Sequence, residues 1–249
     1  MFLLATFSIC TSCQIHYSCQ KKCNECDLLG NPIQWSKNTN SPYIGIIQYD
    51  SLFLFSRRDI IQLMNNCLGN ASDFYNKPLH IKNPYNNVLF CNADLYNLYY
   101  FILQGSLPIS PLIHGYYNTR FQIHLFEKQY TYILREHAIV NFVHNTTQDD
   151  FFEYMDEMIE EYNEFCSINK QIYISDKYDT KTMILEMKPF LLTYLQSNYS
   201  LREGRQNLRM NWYRQFSIFI ENHFLPLFEN KNIDQDLINK DVGEPISVI

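Results

Sequence analysis

The chain has 249 residues, of which 46% are hydrophobic and 18% charged, so it can build a folded core and is not wholly disordered. Its formal net charge of −6 excludes the overall basic field with which proteins living on duplex DNA usually contact phosphate. No window of about 18 apolar residues occurs, so we expect no membrane-spanning helix.

Five of the eight cysteines lie within the first 30 residues, and four of them form two Cys-x2-Cys pairs. This spacing lets both thiolates of a pair reach one tetrahedral Zn²⁺ ion. The predicted ligands of the ion are Cys10, Cys13, Cys23 and Cys26. Cys19 or His16, which lie between the pairs, are alternative ligands. Four thiolates leave no open coordination position, so the predicted zinc is structural.

Two other interpretations of the cysteine cluster stay open, a disulfide framework in a secreted chain and thiols grouped by chance. Tight clustering argues against chance, and the odd number of cysteines in the cluster, five, argues against disulfides. The apolar stretch Phe2–Ile9 is short for a signal peptide, and no Lys or Arg precedes it. We therefore expect an intracellular protein that is not secreted.

A β-hairpin is predicted at residues 43–55. The run Tyr43–Tyr49 is rich in β-branched and aromatic residues, Asp50-Ser51 is a turn pair, and Leu52–Phe55 continues the strand pattern.

Two helices with clear start and stop signals are predicted next. Ser56 and Asp59 form a capping box before an apolar stripe at helical spacing, and Gly69 stands where a C′ glycine belongs. After an asparagine-rich loop, Asn92 is the predicted cap of the second helix, which Gly105 ends.

Helical periodicity continues after a connection marked by Pro108 and Pro111. One pattern runs from about Thr119 to Asn145, with room for one break. Residues 148–167 predict an acidic helix without a basic residue. A solvated face explains its charges best, and a site for a metal or a basic partner is the alternative.

The last part of the chain predicts a short strand at Gln171–Ile174 and a helix over 181–198 that Pro189 kinks or restarts. Ser200 and Glu203 read as a second capping box, opening a long helix that reaches about Phe224.

These patterns together predict a mainly α fold, in which a helical domain follows a small zinc-knuckle and β-hairpin module. The predicted domains are the cysteine-rich and hairpin module at 1–57, the helical domain at 58–229 and a polar tail at 230–249.

No sequence motif indicates a particular catalytic reaction. The histidines form no metal-binding pair, and no Walker A, G-x-S-x-G or G-x-G-x-x-G sequence occurs, so nothing favours an enzyme. Glu136-His137 reads as a pair of surface neighbours rather than a catalytic dyad. The isolated cysteines Cys67, Cys91 and Cys166 are interpreted as core residues.

Arginines near the C-terminus form the one basic feature of interest. Arg202, Arg205 and Arg209 recur at i, i+3 and i+7, which places them on one face of a continuous helix. With aromatic neighbours such a face can grip nucleic acid, but ion pairs with the acidic helix are the favoured interpretation.

One stretch resembles poorly characterised proteins of nucleocytoplasmic large DNA viruses. The resemblance rests on Phe55–Ile60, on the asparagine-proline-tyrosine loop Lys82–Asn87 and on the leucine-tyrosine segment Asp94–Phe101. It covers roughly residues 10–145 and includes the cysteine-rich start. Asn86 stands where a threonine is more usual, and the last hundred residues carry no resemblance.

The resemblance implies a viral protein of the cytoplasmic replication cycle. The leading hypothesis is a minor capsid or capsid-associated component, without catalytic activity, that contacts other viral proteins in the virion or the viral factory. The alternative is a late transcription regulator that contacts nucleic acid through the zinc knuckle and the arginine face.

Overall fold

The computed structural model describes residues 21–22, 24–34, 41–166, 171–174 and 179–230. The fold is mainly helical, at 59% helix, which confirms the predicted fold class at that level. Eight helices lie in the described ranges: α1 Arg57–Leu68, α2 Asn92–Leu103, α3 Pro111–Asn118, α4 Ile123–Gln129, α5 Thr131–Asn145, α6 Gln148–Phe165, α7 Thr180–Tyr199 and α8 Arg205–Leu227. Within these ranges no helix combines the length and the apolar composition that crossing a bilayer requires.

The strands are short. They are β1 Lys21–Lys22, β2 Tyr43–Gln48, β3 Ser51–Ser56, β4 Ala71–Ser72, β5 Tyr75–Asn76, β6 Ile172–Ile174 and β7 Phe228–Asn230. The first three form a sheet in the order β1-β3-β2, with β1 parallel and β2 antiparallel to β3. Two further strand pairs are β4 with β5 and β6 with β7, and the second of these is antiparallel.

The chain divides into two compact units. Unit 1 comprises Met1–Ala71 and Asn76–Thr131, and unit 2 comprises Ser72–Tyr75 and Tyr132–Ile249. Nine basic and six acidic residues give unit 1 a formal charge of +3, whereas eleven basic and twenty acidic residues give unit 2 a charge of −9. The acidity of the chain therefore resides in unit 2.

Unit 1 opens on the predicted hairpin, which the structure confirms. Its turn is Tyr49-Asp50 rather than Asp50-Ser51, and both residues have positive φ, 48° and 59°. Two successive positive φ values define a type I′ turn, whose twist matches that of the paired strands. Leu52 and Leu54 of β3 point to a small core with Ile33.

The helices of unit 1 pack their apolar stripes inward. Helix α1 has the predicted capping box, in which Asp59 N–H donates to Ser56 Oγ at 3.1 Å. Gly69 ends this helix, but with φ −87° it is not in the left-handed conformation of a C′ glycine. The cap of α2 is Cys91 and not Asn92, since Cys91 Sγ accepts the Asp94 N–H.

Pro111 begins a helix instead of marking a connection. Ser110 caps α3, and Pro111 occupies the first turn, where its missing N–H costs nothing. The helical pattern predicted from about Thr119 to Asn145, with room for one break, is divided into α4 and α5.

Unit 2 packs α5, α6, α7 and α8 around one apolar cluster. The cluster includes Met155, Met187, Trp212 and Phe216, all fully buried. Phe74, from the short turn between β4 and β5, belongs to the same cluster and lies 4.5 Å from the Tyr199 ring, centroid to centroid. Aromatic rings therefore contribute to the apolar core of the unit together with aliphatic side chains.

The second predicted capping box is wrong. Ser200 ends α7, and α8 begins at Arg205. The Ser200 hydroxyl donates to the Glu136 carboxylate and accepts the Arg202 N–H at 3.1 Å, so it does not cap the N-terminus of α8. Pro189 lies inside α7 without dividing it.

Candidate functional site

The predicted zinc knuckle lies mostly outside the described residues. Cys10, Cys13 and Cys23 belong to that part, as do the alternative ligands Cys19 and His16. Cys26 is described, and it is an exposed free thiol. Among the described residues no group of three His, Cys, Asp or Glu could hold a metal ion. The four-cysteine site therefore stays a prediction.

The segment that contains Cys26 is docked on the hairpin through side chains. Asn24 is buried, and its amide pairs with Leu54 as a strand would, donating to the carbonyl at 2.8 Å and accepting the N–H at 2.9 Å. The Tyr85 hydroxyl donates to the Cys26 carbonyl at 3.1 Å, and its ring stacks on Phe53. These contacts position the backbone of Cys26.

The polar groups of the asparagine-rich loop Lys82–Asn87 form hydrogen bonds that stabilise the conformation of the loop. Gln48 Oε1 accepts amide donors from Asn83 at 2.9 Å and Asn86 at 3.0 Å, and Gln48 Nε2 donates to the Leu89 carbonyl at 3.2 Å. Asn83 is fully buried, and its Oδ1 accepts the Tyr85 N–H at 3.0 Å. A network so fully satisfied fixes a loop conformation and leaves no group of Asn83 to bind a ligand.

The three predicted arginines do not share one helical face, because Arg202 precedes α8. Arg202 lies 3.5 Å from the Glu136 carboxylate, and Arg209 lies 2.6 Å from Glu161 of α6. Arg205 donates to the Asn198 carbonyl at 3.4 Å. Two of the three arginines thus have carboxylate partners within unit 2.

Glu136 is a buried polar centre that sequence reasoning placed on the surface. It is 8% exposed, and Gln196 Nε2 donates to it at 3.1 Å alongside Ser200 and Arg202. These contacts tie the end of α7 to α5. The neighbouring His137 is half-buried, and burial lowers the pKa of its imidazole.

The acidic helix α6 is confirmed at Gln148–Phe165. Seven of its eight carboxylates are exposed, as a solvated face requires. Burial raises the pKa of Asp156 and of Glu157, and the neighbouring Glu160 raises both further.

Cys91 corrects the interpretation of the isolated cysteines as core residues. It is exposed and caps α2, whereas Cys67 and Cys166 are half-buried. Burial raises the pKa of the Cys67 thiol, which disfavours its reactive thiolate form.

A tyrosine cluster covers α2 and α3. Tyr99 and Tyr117 stack with 4.0 Å between ring centroids, and the Tyr99 hydroxyl lies 2.8 Å from His114 Nδ1. A hydrogen bond with Tyr100, together with burial, raises the pKa of Tyr117 to about 12. The phenols therefore stay protonated at neutral pH and act as packing and hydrogen-bonding groups.

The concave feature of interest is a groove in unit 1 that sequence reasoning did not find. It has a volume of about 430 Å³ and lies between the outer face of α1 and the segment before α3. The lining side chains used below are those of Arg58, Ile61, Gln62, Asn65, Leu107 and Pro108. A pocket of this size suits a small ligand or a few residues of a peptide.

One wall of the groove could have been predicted from the sequence, because intervals of three and four residues place its side chains on one face of α1. These are Arg58, Ile61, Gln62 and Asn65. The other wall depends on a fold contact some 45 residues away, which periodicity cannot reveal. Comparison with protein-family models, curated proteins and solved structures gives no match for this chain.

Proposed function

We propose that this chain is an interaction protein of a large DNA virus, a minor capsid or capsid-associated component that works through protein contacts rather than catalysis. The viral part of the proposal rests on the resemblance of residues 55–101. The part concerning protein contacts rests on the solvent-facing side of α8.

Helix α8 has apolar residues on two opposite faces. Trp212, Phe216 and Ile220 are buried in unit 2, four residues apart. Met210 and Ile218 lie on the opposite side and are 73% and 53% exposed. A helix at the surface of a protein normally carries polar residues on its outer face.

The outer row of α8 comprises Met210, Arg214 and Ile218, all exposed. Covering a large apolar side chain contributes about 1.5–3 kcal/mol, so two of them supply useful association energy. Arginine and methionine are also among the residues enriched in protein interfaces. The outer row is therefore the observation that carries the proposed function.

The test measures the chain in virions purified from infected cells. Mass spectrometry should find it in a fixed ratio to the major shell protein. The double variant Met210→Ser/Ile218→Ser should keep the circular dichroism and melting temperature of the wild type but be lost from virions. The matched control is Gln215→Ser, an exposed polar change on the same helix.

Absence of the wild-type chain from virions would refute the capsid assignment. Normal incorporation of the double variant would refute the role of the outer row.

The alternative function, a nucleic-acid-associated late transcription regulator, requires arginines that are free to meet phosphate. The ion pairs of Arg202 and Arg209 favour the first proposal, because binding nucleic acid would have to break them. Filter binding of labelled duplex DNA and single-stranded RNA at physiological salt should therefore detect no complex. The transcription-regulator function would be favoured instead if the wild type bound with sub-micromolar affinity and the triple alanine variant of Arg202, Arg205 and Arg209 did not bind.

A further inference from the structure

The groove of unit 1 has walls that are held in place by contacts within the unit. On one side Ser110 Oγ donates to Asn65 Oδ1 at 2.5 Å, which joins α1 to the start of α3. Next to the groove, Arg57 Nε donates to the Phe101 carbonyl at 2.9 Å, and its guanidinium lies over the Phe101 ring at 4.3 Å, which joins α1 to α2. The groove is thus formed before any ligand arrives, which lowers the entropic cost of binding.

Gly105 shows how closely the turn after α2 packs against α1. A Cβ at this position would collide with the Arg57 side chain, so glycine allows the approach. The turn carries the chain onward to Leu107 and Pro108, the apolar side of the groove.

The polar side chains of the groove are amides, which carry both donors and acceptors, and one arginine, which carries donors alone. Because Asn65 Oδ1 already accepts from Ser110, the remaining polar group of that side chain is its NH₂. Arg58 brings five N–H donors and, among the described residues, has no carboxylate within ion-pair distance. An arginine without a carboxylate partner in this part of the chain favours a ligand that presents a carboxylate.

Asp27 is a described acid whose charge interacts with that of Arg58. Hydrogen bonds from Asn31 and Leu29 hold the Asp27 carboxylate and lower its pKa, with Arg58 a minor further cause. None of the residues that line the groove is acidic, and unit 1 as a whole is positive by three charges. The charge of the groove is therefore complementary to an anion.

The uncharged residues of the groove indicate which class of anionic ligand fits it, a peptide or a nucleic acid. Ile61, Leu107 and Pro108 offer apolar contact area, and the amides of Gln62 and Asn65 match the donors and acceptors of a peptide backbone. A nucleic-acid strand would need several cations and a stacking surface, whereas the lining contains one arginine and no aromatic ring.

We propose that this groove binds a short extended peptide of a partner protein, in which an aspartate or glutamate that pairs with Arg58 stands beside aliphatic residues that cover Ile61, Leu107 and Pro108. This site is separate from the outer row of α8 and does not depend on the viral assignment. The Arg58 guanidinium fixes the position of the carboxylate, and the apolar side chains supply contact area.

Selection from a phage-displayed library of random twelve-residue peptides, carried out on the immobilised full chain, tests the proposal. Enriched peptides should share an acidic residue flanked by Leu, Ile or Val. Synthetic peptides of those sequences should bind the wild-type chain in fluorescence anisotropy. Arg58→Gln should weaken this binding by about tenfold or more, because it removes a charge-assisted hydrogen bond.

The matched control is Arg120→Gln, an exposed arginine of unit 1 outside the groove, which should leave the affinity unchanged. Ile61→Ser should also weaken binding, because it removes apolar contact area, and melting temperatures confirm that each variant is folded. Failure to enrich any peptide, enrichment without an acidic residue, or equal affinity of Arg58→Gln and wild type would overturn the proposal. Binding of a labelled single-stranded DNA that Arg58→Gln abolishes would also overturn it, in favour of a phosphate ligand.

Discussion

The asparagine-rich loop offers the most direct test of how the resemblance motif functions in the fold. Asn83→Ala removes the donor to Gln48 and the acceptor for the Tyr85 N–H, two hydrogen bonds of 2.9 and 3.0 Å around a fully buried side chain. Each such bond contributes about 1 kcal/mol net, and a buried group left without a partner costs more. We expect a loss of about 2–3 kcal/mol in the local stability of the loop and hairpin.

Hydrogen exchange measured by mass spectrometry resolves this loss by segment. A change of about 2 kcal/mol accelerates exchange roughly thirty-fold in peptides that cover β2, β3 and residues 81–91. Asn97→Ala, an exposed change in α2, is the control and should shift exchange by less than about threefold, since alanine is the better helix former. Exchange in Asn83→Ala that matches the control would refute the structural role of the network.

Three further predictions concern the metal, the ion pairs and pH. Protein purified under reducing conditions should contain one Zn²⁺ per chain by elemental analysis, and Cys23→Ser should release it; paired disulfides without metal would contradict this. Arg209→Ala should lower the free energy of unfolding by at most about 1 kcal/mol in urea, because its partner Glu161 is largely buried but the arginine is 48% exposed. Arg205→Ala, its control, should cost less, and equal losses would deny the pair a role. Because burial lowers the folded-state pKa of His137 below its ordinary 6.5, the unfolded chain binds more protons, so stability should fall as pH drops below about 6.5. Melting temperatures from pH 7.5 to 5 should fall less steeply in His137→Gln, and identical slopes would refute the burial argument.

Local patterns determined the elements whose signals are contained in a few neighbouring residues. The hairpin of residues 43–55 and the capping box of Ser56 and Asp59 both appear in the structure as the sequence predicts. The acidic helix is also where its periodicity placed it. In each case the deciding hydrogen bonds or apolar contacts join residues close in sequence, so pattern and structure agree.

The predicted helix cap was wrong where a side chain distant in sequence formed a hydrogen bond with the capping hydroxyl. Ser200 reads as a helix cap, but the buried carboxylate of Glu136, 64 residues away, takes its hydroxyl. The helix consequently starts at Arg205, which separates Arg202 from the arginine face. Burial of Glu136 itself depends on the packing of α7 against α5, and no spacing in the sequence records it.

The two candidate sites differ in the same way, since one follows from a local sequence pattern and the other from tertiary contacts. The cysteine spacing by itself predicts a zinc knuckle, since metal ligation by Cys-x2-Cys is a local property of the chain. The groove beside Arg58 exists because Leu107 and Pro108 return to α1 after more than forty residues and are held there by Ser110 and Asn65. Its shape results from tertiary contacts, because only folding brings these distant side chains together and decides which of their polar groups are already paired.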